Sequence, residues 1–199
     1  SYLPIRSIGN AFCEVLVPGR GTGGDLVVKR GYVRRGSDVS VGFLPFTIRN
    51  VYDRLFILYG SRYGWGGMYD SRDCSAYVMD VFRCFNIRLP RNSQSQGKVG
   101  TRIIPLGEMD RTARIQSLRS LPGGITLLVM PGHVMVHLGE AGGRLYAISN
   151  VWAWREGKGE GVDVAHRLAR VAVTDLVLGE GSSKKAFIDR IETVVTIGR

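Results

Sequence analysis

Three cysteines and three histidines carry most of the reactive potential of this 199-residue chain. Cys74 has the setting of a nucleophile. It follows a glycine-rich stretch, Y-G-W-G-G at 63–67, and stands where an apolar helical pattern begins. Backbone N–H groups and the helix dipole at such a position favour a thiolate. The competing reading is a small buried hydrophobe, the usual fate of an unpaired cysteine. A thiol nucleophile needs a base. His133 opens an apolar run straight after Pro131-Gly132, where an imidazole can reach over a neighbouring helix end. His137 shares its face by the two-residue period of a strand. His166 lies in a charged stretch with no partner in sight. Cys84, ten residues beyond Cys74, falls beside the apolar stripe and Cys13 alternates with strand residues, so both read as core. No C-x-x-C spacing occurs, an odd cysteine count gives no disulfide framework, and no zinc ligand set stands out.

The elements that must hold these residues follow from hydrophobic period and turn chemistry. F-C-E-V-L-V (12–17) and D-L-V-V-K-R (25–30) are β-rich runs separated by P-G-R-G-T-G-G. R-G-S-D (35–38) punctuates again before V-S-V-G-F-L. This predicts a small barrel, or part of one, over 1–45. From Thr47 the period changes. Thr47 caps a helix bearing Val51, Leu55, Leu58 and Tyr59, and Gly60 ends it. A second helix over about 73–85 carries Tyr77, Val78, Val81, Phe82 and Phe85 as one apolar stripe. Residues 91–123 are polar and irregular, with a short helix after Asp110. I-T-L-L-V-M (125–130), H-V-M-V-H-L (133–138) and R-L-Y-A-I-S-N-V (144–151) form an antiparallel meander. Strands near 169–173 and 193–197 and a helix around 184–190 complete the chain. Helices ahead of strands predict α+β, with a second domain over 46–199.

Composition narrows the function classes. Hydrophobic residues are 44% and charged residues 22%, as in a packed domain rather than a disordered chain. No apolar run approaches the roughly 20 residues of a bilayer span. The opening S-Y-L-P-I-R-S shows no signal peptide. A net charge of +10 invites an anionic partner. Nucleic acid is nonetheless not expected, because no basic patch interleaved with aromatics occurs.

Four segments in order resemble one known family. Y-G-W-G-G (63–67), R-D-C-S (72–75), R-L-P-R-N-S-Q-S-Q (88–96) and G-H-V-M-V-H-L-G-E (132–140) are similar to the NlpC/P60 cell-wall cysteine peptidases, over roughly 45–197. The preceding segment, ending G-F-L-P-F-T, resembles the bacterial SH3-like domain of one subgroup, though it is short for the whole module. The resemblance implies a papain-like domain, helices packed on an antiparallel sheet, with Cys74 as nucleophile and His133 as base. It implies a third polar residue orienting the imidazole, which falls at Ser149 or Asn150 in A-I-S-N-V-W. Family members commonly carry His there. Ser149 has the inward parity, whereas Asn150 better suits the role by chemistry. Tyr63 and the Cys74 backbone N–H would stabilise the oxyanion. Asp73 would pair with the amine of an N-terminal L-Ala, and Ser75 and Ser93 would contact γ-D-Glu. The implied reaction is hydrolysis of the γ-D-glutamyl–diaminopimelate bond of peptidoglycan stem peptides through a thioester, without metal or organic cofactor. The implied setting is the bacterial envelope, periplasmic or secreted. Because the third residue is altered, a weak or inactive muropeptide-binding member is the alternative.

Overall fold

A computed structural model describes residues 3–36, 39–159 and 161–198, and these divide into two compact units, Ser1–Leu44 and Pro45–Arg199. The N-terminal unit is a three-stranded antiparallel sheet in the order β1 (Ile5–Ile8), β2 (Phe12–Arg20), β3 (Leu26–Arg34). The β2–β3 hairpin turns at Gly21–Asp25, where Gly24 takes a φ of +85°. Pro18, Gly19 and Arg20, read from sequence as turn, are instead the last paired residues of β2. The third strand also differs from expectation. Ile5–Ile8 supplies it, and V-S-V-G-F-L forms none. The R-G-S-D turn expected at 35–38 runs into Ser37 and Asp38, which lie outside the described residues. Cys13 and Val15 are the buried centre of this small sheet.

The C-terminal unit is α+β, as the element pattern predicts. Its helices are α1 (Ile48–Phe56), α2 (Cys74–Arg83), α3 (Ser93–Gln96), α4 (Arg111–Arg119) and α5 (Phe187–Arg190). Its strands are β4 (Arg102–Pro105), β5 (Thr126–Met130), β6 (His133–Ala141), β7 (Arg144–Gly157), β8 (Asp163–Asp175) and β9 (Thr193–Thr196), all antiparallel in the order β4-β9-β5-β6-β7-β8. The meander β5-β6-β7 is therefore real, but β9 returns to pair between β4 and β5. Neither that insertion nor β4 is visible as periodicity in so short a strand.

Capping decides where the helices start. Thr47 Oγ1 accepts from Asn50 N–H at α1, Asp73 Oδ1 from Ala76 N–H at α2, and Asp110 Oδ1 from Ala113 N–H at α4. Each satisfies one of the orphan donors of a first turn. The expected stripe of α2 is buried from Tyr77 to Phe85, and the Tyr77 hydroxyl donates to Leu55 O of α1 at 2.9 Å. Two expectations fail at helix ends. Tyr59 lies past the end of α1 and is exposed, and Cys84 is only half-buried.

Both α2 and α4 pack over β6 and β7. β5 is buried along its whole length, the mark of a strand covered on both faces. Leu118 and Leu121 meet Leu128, Met130, Met135, Phe187 and Ile188 in one core cluster. Arg114 is a buried cation in that region. It is 6% exposed, and its guanidinium donates to the carbonyls of Met109, Ile188, Ile191 and Gly107 at 2.7–3.0 Å. It ties α4 to α5 and to the loop before α4.

Candidate active site

Cys74 is the first residue of α2 and 5% exposed. Its Sγ lies within hydrogen-bond reach of the backbone N–H of Val134, one residue into β6, and of Ser75 N–H. The thiol is thus set against the opening of the strand that begins with His133. Burial pushes its pKa up, and the Asp73 carboxylate adds to that rise against the N–H donors. The helix-start position does not lower it on balance. Desolvation outweighs the N–H donors here.

His133 stands at the start of β6, half-buried, with Nε2 3.1 Å from Ser149 Oγ. Of the two alternatives for the third position, it is Ser149 whose side chain reaches the imidazole. The reason is strand parity, since Ser149 shares its face of β7 with Ala147 and Asn150 points to the opposite one. Asn150 is completely buried, and its Nδ2 donates to Arg72 O at 2.6 Å. That bond fixes the turn just before Asp73 and Cys74. We expect Ser149→Ala to reduce any turnover by about tenfold or less, with little change in Tm. Asn150→Ala should instead destabilise by about 1–2 kcal/mol, because a buried bond is lost. Thermal melts and rates on both variants separate the two roles, and a Tm loss confined to Ser149→Ala would reverse them.

Desolvation, and after it the charge of Arg190, lower the His133 pKa to about 4. At rest the imidazole is therefore neutral, and burial pushes the thiol toward its protonated form. Two pH effects follow. The singly protonated pair persists from about pH 4 to above the ordinary thiol range. Rates governed by it should therefore hold across neutral pH and fall in acid with a midpoint near 4. An acid midpoint near 6.5 would contradict this. Stability should move separately. His133 and the buried His137 both have depressed folded pKa values, so the unfolded chain binds more protons below the ordinary value of 6.5. Their contribution is complete above pH 6.5 and is lost as pH falls from there toward 4, which melts across that window would record.

Tyr63 is placed from two sides. Its backbone N–H donates to Ala169 O of β8, and Gly64 N–H donates to Arg72 O beside it. A Cβ at Gly64 would run into the Met68 carbonyl and Ser71, so only glycine allows this approach. The Tyr63 hydroxyl reaches both the Cys74 backbone N–H and the thiol. Burial first, then the charges of Cys74 and Asp73, hold it protonated far above its ordinary range. Its ring packs edge-on against Trp65 and also meets Trp152, over which Arg167 lies at 4.1 Å.

Asp73 is engaged within the chain. Both carboxylate oxygens are held by Arg91, at 3.0 and 2.6 Å, and Oδ1 also accepts from Ala76 N–H and Ser75 Oγ. Burial works to raise its pKa, but these bonds more than offset it. The carboxylate is thus paired with the Arg91 guanidinium. Ser75 is buried, joined to Asp73 and Arg91. Ser93 is half-buried in the first turn of α3, and no described side chain bonds its hydroxyl. Arg91 and Gln96 were legible as parts of R-L-P-R-N-S-Q-S-Q but carried no assigned role. Gln96 Nε2 donates to Ser75 O and Pro90 O, binding that loop to α2. Arg190 gave no signal in sequence.

The α+β domain thus sets a cysteine at a helix start against the first strand of an antiparallel hairpin, beside a tyrosine hydroxyl. Residues 60–143 match the model of the NlpC/P60 family. The matched stretch lies within the C-terminal unit. In solved structures, the chain is similar to an NlpC/P60 endopeptidase from Photobacterium damselae subsp. piscicida, with TM-score 0.74 and 16% identity over 98% of this chain and 51% of that one. It is also similar to an NlpC/P60 family protein from Bacillus cereus ATCC 10987, with TM-score 0.56 and 15% identity over 97% and 52%. At these identities the likeness establishes the fold. The chain spans about half the length of these solved structures. Among curated proteins none matches it in sequence.

Proposed function

We propose that the protein is a cysteine endopeptidase of peptidoglycan stem peptides, cleaving the γ-D-glutamyl–diamino acid bond. The observation that carries this reading is Cys74 at the start of α2, with its Sγ at the backbone of Val134 next to His133. In the reaction, His133 takes the thiol proton as Sγ attacks the γ-glutamyl carbonyl. The Cys74 N–H and the Tyr63 hydroxyl receive the developing oxyanion, a contribution of about 3 kcal/mol per preorganised donor. Collapse expels the amine, which leaves with the proton held by His133, and water then hydrolyses the thioester. Ser149 at Nε2 fixes the ring so that Nδ1 is the nitrogen that exchanges the proton. Ser75 and Ser93 remain the proposed contacts to the γ-D-Glu unit. Recognition of an N-terminal amine by Asp73 would require that amine to share a carboxylate with Arg91, so we expect a modest preference for unblocked peptides.

The N-terminal sheet is read as an SH3-like module serving the same substrate, and the setting as the bacterial envelope. A second reading, a muropeptide-binding protein of low turnover, is favoured by the serine at the third position and by the neutral resting pair. Mass spectrometry of L-Ala-γ-D-Glu-diaminopimelate after incubation decides between them. Release of diaminopimelate is expected. Binding without release would establish the second reading.

A further inference from the structure

Arg190 is a cation without a counterion. It ends α5, is half-buried, and among the described residues no carboxylate forms an ion pair with it. Its neighbour Asp189 is taken by Arg111, which also binds Glu180. The Arg190 guanidinium lies 5.7 Å from the centre of the Phe187 ring, and that ring lies 6.1 Å from the imidazole of His133. The Phe187 ring is therefore a shared neighbour of the cation and the imidazole. Removing a guanidinium from water without a partner costs free energy that an ordinary surface arginine does not incur. Burial lowers the pKa of Arg190, and its charge in turn reaches His133. A planar fork of donors left open beside the reacting imidazole suits a carboxylate better than any other common group.

We propose that Arg190 is a specificity-determining residue that binds a carboxylate of the amino acid whose amine is the leaving group. This rests on the endopeptidase reading. His133 returns its proton to the departing amine, so that amino acid lies on the His133 side of the scissile bond, within the reach of its neighbours. A leaving residue with an unblocked carboxylate would be held there, and one whose carboxylates are amidated would lose the contact. The ion pair would also neutralise the charge that opposes an imidazolium at His133, so the same contact would favour proton uptake when substrate is in place.

The test uses L-Ala-γ-D-Glu-diaminopimelate and the same peptide with both diaminopimelate carboxylates amidated. Binding is measured by calorimetry to Cys74→Ala protein carrying Arg190, R190Q or R190K, and cleavage is followed with the intact thiol. We expect the Arg190 protein to bind the carboxylate form about tenfold more tightly, the ordinary scale of a charge-assisted contact. R190Q should bring the ratio toward one, and R190K should keep part of it. Equal binding of both peptides by the Arg190 protein, binding of neither, or a ratio unchanged in R190Q overturns the proposal. Discrimination in binding without cleavage of either peptide by the intact protein would leave the Arg190 assignment standing and refute the endopeptidase reading.

Discussion

Cys74→Ala should abolish stem-peptide hydrolysis, with a fall in kcat/KM of about 10³-fold or more, the scale seen when a covalent nucleophile is removed. The fold should survive, because the change deletes one sulfur atom whose contacts, to Val134 N–H and the Tyr63 hydroxyl, are weak beside the packing of α2. Asp73 keeps its cap on α2 through Ala76 N–H, and the α2 stripe is untouched. Mass spectrometry on the purified variant, with circular dichroism as the folding control, measures both parts. Turnover above a trace in the alanine protein would end the nucleophile assignment. A Cys74→Ser protein is the companion measurement. It keeps the shape but replaces the thiol by a hydroxyl that the neutral His133 is poorly placed to deprotonate, so it should be nearly as inactive.

Arg114→Met should cost about 3–5 kcal/mol of stability, the largest effect expected away from the site. The guanidinium answers four carbonyls, those of Gly107, Met109, Ile188 and Ile191. Methionine matches its volume but leaves these acceptors without a donor, and each buried one forfeits about 1 kcal/mol or more. Ile188 and Ile191 flank the end of α5, so loosening them disturbs the element that carries Phe187 and Arg190. Urea titration of the variant reports the loss directly. A midpoint shift of under about 1 kcal/mol would mean that the four bonds are redundant, and Arg114→Lys should recover only part because one ammonium cannot reach all four.

Much of this architecture is legible in the chain because local chemistry specifies it. Thr47, Asp73 and Asp110 are side chains that can cap, each stands ahead of a helical period, and each caps the helix expected there. The stripe from Tyr77 to Phe85 repeats often enough to show its face, and Pro131-Gly132 marks the turn before β6. What stays hidden has a non-local cause. β4 is four residues long and becomes a strand only by pairing with β9, while β9, expected near 193–197, takes its place between β4 and β5 only in the folded sheet. The length of β7 and β8 depends on their mutual pairing out to Gly157 and Asp163, where polar residues blur the period. At the site, parity on β7 places Ser149 correctly beside His133. Charge balance could not be read the same way. That Arg91 takes the Asp73 carboxylate and that Arg190 lies near His133 are facts of chains meeting across 18 and 57 positions. The pKa directions at Cys74 and His133 depend on burial, which spacing does not report.

The neutral state of the Cys74–His133 pair also bears on how the protein ages. Peroxide and alkylating electrophiles react with thiolates, and sulfenic acid formation is the first step toward irreversible oxidation. A preformed thiolate–imidazolium pair would present that target continuously. Here burial pushes the thiol toward its protonated form and holds the imidazole without charge, so the resting thiol is a slow reactant toward anything that does not reach the buried sulfur and rearrange the charges. Slow reaction with oxidants is then built into the same desolvation that sets the pH behaviour of both groups.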